Sequence, residues 1–78
     1  MTPRNLTKDQ FDRSMIARIE KKLLKVGSVD PLTEATRIYR AVRRVTYVTL
    51  PGEQRRLPEA MRAAVAVSVT ETIETLTS

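Results

Sequence analysis

Cysteine, histidine and tryptophan are all missing from this 78-residue chain. Without cysteine no disulfide can form. Without cysteine and histidine the usual zinc ligand sets are absent. The commonest general base and the best thiol nucleophile are absent with them. Glycine occurs twice, at Gly27 and Gly52, so no glycine-rich loop exists to cradle a phosphate. The longest near-apolar stretch, 63–69, is far too short to cross a bilayer. The first residues, Met-Thr-Pro-Arg-Asn-Leu-Thr, have no apolar run behind their charge, so no signal peptide is expected. A cytoplasmic protein with no membrane partner is expected, and the lack of cysteine fits a reducing compartment.

Catalytic chemistry has little to work with. The serines are Ser14, Ser28, Ser68 and Ser78, and none has a visible base to activate it. Glu71 and Glu74 can share a helix face. A metal or an acid–base pair there would need further ligands, so solvated charge is the better reading. The expectation is a non-enzyme with no metal, no cofactor and no small-molecule substrate.

What the chain does have is positive charge, unevenly spread. Its formal net charge is +5. Residues 1–27 carry seven lysines and arginines against Asp9, Asp12 and Glu20. Residues 28–52 carry Arg37, Arg40, Arg43 and Arg44 against Asp30 and Glu34. Arg62 is the last base, and Glu71 and Glu74 follow it. A basic front and a mildly acidic tail fit an acidic partner, either nucleic acid or an acidic protein surface. Solubility alone would account for the same charge.

The apolar residues recur at helical spacing. Thr7 with Gln10 three residues later is a capping box, and Leu6 with Phe11 can close a hydrophobic staple across it. Phe11, Met15, Ile16, Ile19, Leu23 and Val26 then form one stripe. Lys21, Lys22 and Lys25 favour the negative end of the dipole, and Gly27 follows as a C′ residue. Asp30 and Pro31 restart the chain as N-cap and first helical residue. Leu32, Ala35, Ile38, Tyr39, Val42 and Val45 carry the second stripe until Pro51-Gly52. Residues 45–50 are β-branched and aromatic enough for a strand, but the stripe enters them unbroken, so helix is preferred to about Thr49. After a polar connector, Pro58 opens a third element with the stripe Met61, Val65, Val69 (or Ser68), Ile73 and Leu76. Val65, Val67 and Val69 alternate as in a strand. The alanines at 60, 63, 64 and 66 decide for helix.

The predicted fold is all-α: one domain spanning 1–78, with helices at about 7–26, 31–49 and 58–76. The second and third form a hairpin. Residues 63–69 are apolar nearly all round, and such a helix wants cover on every side. A core this small usually needs reinforcement, so a homodimer is expected, with Met61, Val65, Val69, Ile73 and Leu76 at its interface.

Two basic clusters are candidate binding surfaces. Arg18, Lys21, Lys22 and Lys25 stripe the first helix. Arg37, Arg40, Arg43 and Arg44 gather on the second, with Arg55 and Arg56 after the turn. Arginine offers a rigid fork for carboxylate or phosphate. Tyr39 falls on the apolar stripe and belongs to the core, whereas Tyr47 lies off it and can meet a partner. Residues 45–51 followed by Thr70-Glu71-Thr72-Ile73 loosely resemble a ribbon-helix-helix repressor. Pro58 would fall inside that motif's first helix and break it, so the family is not assigned. The expected function is that of a small regulatory protein that binds and modulates another protein. The alternative is a DNA-binding regulator acting through the 37–44 face.

Overall fold

A computed structural model describes residues 7–77, which form four helices and no strand. They are α1 (Lys8–Lys25), α2 (Pro31–Thr49), α3 (Gly52–Arg55) and α4 (Pro58–Thr77).

Local chemistry sets the ends. The Thr7 hydroxyl accepts from the Gln10 backbone N–H at 3.1 Å, and Gln10 Oε1 accepts from the Thr7 N–H at 3.0 Å. This is the capping box in full, pairing two donors that a helix start otherwise leaves open. Leu6, its proposed staple partner, lies outside the described residues. At the far end Ser28 N–H bonds the Leu23 carbonyl at 2.9 Å and Gly27 N–H bonds that of Leu24 at 3.3 Å. The pair is a Schellman motif. It requires the left-handed backbone that Gly27 adopts at φ 89°. Asp30 then caps α2 by accepting from Thr33 N–H, with Pro31 opening the helix.

The strand-like segments are helical. In α4 the hydroxyls of Thr70, Thr72 and Thr75 donate to the carbonyls of Ala66, Ser68 and Glu71, each four residues back. A threonine inside a helix satisfies its hydroxyl in this way. Residues 45–49 continue α2, so this segment supplies no ribbon to read a groove. The connector expected after Pro51 is more ordered than its composition implied. It makes the single turn α3, with Gln54 and Arg55 N–H groups both bonding the Pro51 carbonyl.

The three long helices pack on one another. Asp12 meets Tyr39, and Ser28 meets Glu34, so α1 and α2 run antiparallel. Thr46 meets Ser68 across the α2–α4 hairpin. Arg62 covers Phe11, and Arg18 reaches Thr70. Eight residues along α4 thus match seven along α1, so these two helices run parallel. The core is Met15, Ile19 and Leu23 from α1, Ala35 and Tyr39 from α2, and Val65 and Val69 from α4.

Thr46 is the buried polar residue among the described ones, 4% exposed. Its hydroxyl donates to Ser68 Oγ at 3.1 Å, as burial requires.

The expected dimer stripe points inward. Val65 and Val69 are 1% and 0% exposed within the single chain, and Met61, Ile73 and Leu76 pack beside them. The hydrophobic effect has used this stripe to close the monomer core, because α1 and α2 both sit on it. On the outside of α4 Val67 is 59% exposed, with Ala63 exposed one turn before it. In the same way Leu32 and Val45 of the α2 stripe and Val26 of the α1 stripe are exposed. Val26 and Leu32 lie near helix ends, and Val45 borders a shallow groove between α2 and α4.

Candidate functional site

The candidate binding face is the outer side of α2. Arg37, Arg40 and Arg44 follow one another at three and four residues, so the helix places them in one row. All three are exposed. Among the described residues the ion pair formed by α2 is that of Arg43 with Asp12, at 3.8 Å. No described carboxylate pairs with the other three arginines. Glu34, on the same helix, instead accepts from the Ser28 hydroxyl at 2.6 Å.

Two shallow grooves border the row. One is lined by Leu32, Thr33, Thr36, Arg37 and Arg40. The next is lined by Arg40, Arg43, Arg44, Tyr47, Val48 and Met61. Arg40 belongs to both. Tyr47 and Val48 are 49% and 59% exposed, so the row of cations is interleaved with large apolar surface.

Of the seven residues expected on this face, Arg37, Arg40, Arg44, Tyr47 and Arg56 stand open to a partner. Arg43 is half-buried against Asp12. Arg55 serves the fold: its Nε donates to the Leu50 carbonyl at 2.9 Å and its Nη2 to that of Val48 at 3.0 Å. A cation bonding the last carbonyls of a helix satisfies orphan acceptors and meets the negative end of the dipole. The same guanidinium lies 5.3 Å over the Tyr47 ring, which fixes that ring at the edge of the basic row.

The second basic stripe is less uniform than its spacing implied. Arg18 donates to the Thr70 hydroxyl at 3.0 Å and so ties α1 to α4. Lys21 and Lys25 are exposed, and Lys22 is half-buried.

Asp12 carries more of the local electrostatics than its place in the sequence signals. Its Oδ1 accepts from the Tyr39 hydroxyl at 2.5 Å, and its Oδ2 faces Arg43. Burial raises the Tyr39 phenol well above its ordinary value near 10, and the hydrogen bond and charge of Asp12 add to that. Arg43 pulls in the opposite direction. One signal was available: Tyr39 on a core stripe needed a partner for its hydroxyl.

A third concavity was not legible in the sequence. It measures about 330 Å³ and lies where α1 and α4 begin, beside α2. Phe11, Pro58, Met61 and Val65 supply apolar walls, with Lys8, Asp12, Arg43 and Arg62 around them. No group of three or more carboxylates, histidines or cysteines able to hold a metal occurs among the described residues. No described helix is long and apolar enough to cross a membrane.

The chain matches no family model, no curated protein and no solved structure. Its function is therefore read from its own surface.

Proposed function

We propose that this protein is a non-catalytic regulatory module that docks an acidic protein partner on the outer face of α2 and modulates it. The observation that carries the reading is the row Arg37, Arg40 and Arg44, exposed and unpaired among the described residues, with Tyr47 and Val48 exposed beside it. Arginine and tyrosine dominate the energetics of protein interfaces, where a large side chain fills a groove and excludes water around a charged contact. Carboxylates on the partner would engage the guanidinium forks, and its apolar side chains would lie between them.

A second copy of the chain is proposed to cover Val67 and the neighbouring Ala63, both exposed on α4. Val65 and Val69 of the expected stripe are buried within the single chain, which supports the outer face of α4 instead.

DNA binding is the second reading, and the even spacing of the arginine row favours it. The row is roughly 10 Å long at 1.5 Å per residue, enough to meet adjacent phosphates. The two readings separate in one experiment. Purified protein is titrated by fluorescence anisotropy against a glutamate-rich helical peptide bearing leucines, and against duplex and single-stranded DNA. Each titration is run at low and at near-physiological salt. For the protein-docking reading, the peptide binds at both salts, and Tyr47→Ala weakens it as much as Arg40→Gln. DNA binding that is tighter, falls steeply with salt and ignores Tyr47→Ala establishes the DNA reading instead. Binding of neither probe at low salt rejects this face as a site.

A further inference from the structure

We propose that the cavity between the starts of α1 and α4 is a binding site for a small amphiphilic anion, an aromatic or medium-chain carboxylate. Its floor is apolar: Phe11, Met61 and Val65. Its rim is cationic: Lys8, Arg43 and Arg62. The one carboxylate among the lining side chains, Asp12, already accepts the Tyr39 hydroxyl on one oxygen and faces Arg43 with the other. An incoming anion therefore meets an excess of positive charge.

The helices add to this field. Because α1 and α4 run parallel, both present their N-terminal ends to this side of the bundle. Each such end carries roughly half a positive charge. Arg62 lies 5.6 Å over the Phe11 ring, which holds a guanidinium at the edge of the apolar floor. A volume near 330 Å³ sits at the small end of ligand pockets, about 300–1,000 Å³. That selects a compact body with a single charged head over a nucleotide or a long lipid. The site adjoins the groove beside the arginine row and shares Arg43 and Met61 with it, but the exposed Arg37, Arg40 and Arg44 do not line it.

The test is an NMR titration of the whole protein with sodium octanoate, 1-octanol and octylammonium chloride in parallel. Octanoate is expected to shift the Met61, Val65 and Phe11 signals saturably. Octanol and octylammonium are expected to bind about tenfold more weakly or worse, since each loses the charge-assisted contacts. In the Lys8→Gln/Arg62→Gln double variant, octanoate affinity should fall about tenfold while octanol is unchanged. Lys8→Gln alone, at an exposed position, should weaken octanoate in the same direction even if the double variant folds poorly. Absence of saturable shifts, shifts centred on other residues, or equal binding of octanol and octanoate would overturn the proposal.

Discussion

Replacing Tyr39 by phenylalanine probes the core and the electrostatics together. Tyr39 is 2% exposed and donates to Asp12 at 2.5 Å. Its ring would remain in Tyr39→Phe and only the hydroxyl would go. A hydrogen bond to a charged group contributes about 1.5–3 kcal/mol. Asp12 keeps Arg43 at 3.8 Å and is 21% exposed, so water can partly replace the lost donor. The expected loss at pH 8 is about 2 kcal/mol, a fall in Tm on the order of 10 °C for a domain this small.

The pH dependence is sharper than the magnitude. The folded phenol titrates well above 10, whereas the unfolded one titrates near 10. Tyr39 therefore stabilises the fold fully below pH 10. That stabilisation falls as pH rises past 10, because the unfolded state ionises first. At pH 11 the wild type should have lost about 1.4 kcal/mol that Tyr39→Phe cannot lose. Every other ionisable side chain is common to both proteins and cancels in the comparison. Urea unfolding of both at pH 8, 9, 10 and 11 should show the gap narrowing from about 2 to about 0.6 kcal/mol. A gap that stays constant from pH 8 to 11 would refute the assignment of the proton to a buried Tyr39–Asp12 bond.

Two further outcomes follow from burial. Ser68→Ala leaves the Thr46 hydroxyl buried without its acceptor and should cost about 1–3 kcal/mol. The double variant Thr46→Val/Ser68→Ala should recover most of that loss, and additive losses in urea unfolding would show that the pair is not coupled. Val69→Glu places a charge in the core at a position 0% exposed and should unfold the chain by circular dichroism. Val67→Glu, at an exposed position on the same helix, should stay folded and give a monomer by light scattering. An assembled mass for folded Val67→Glu would remove α4's outer face as the contact between copies.

The parts of this protein that the sequence made legible are those set by neighbours a few residues apart. The Thr7–Gln10 box, the Gly27 turn and the Asp30-Pro31 restart are all present as their residue types required. The helix limits agree with the expected ones to about one residue. The β-branched runs were settled locally too, since the apolar stripe enters 45–49 unbroken and the alanines at 60, 63, 64 and 66 favour helix in α4. The short α3 was missed because a single turn has too few residues to show a period.

Long-range packing decided the rest. A helix apolar on nearly every side, as α4 is over residues 63–69, has no periodicity to say which face is inside. Placing α1 and α2 on Val65 and Val69 made that choice and left Val67 outside. The arginines look alike in the sequence, but distance sorts them. Arg55 caps α2, Arg43 meets Asp12, and Arg37, Arg40 and Arg44 remain available. The proposed anion-binding cavity between α1 and α4 draws on residues as far apart as Lys8 and Val65. The spacing of residues along the chain determined the helices. The choice of buried faces, and so the arginines left free and the cavity at the bundle's end, depended on contacts that form only when distant helices meet.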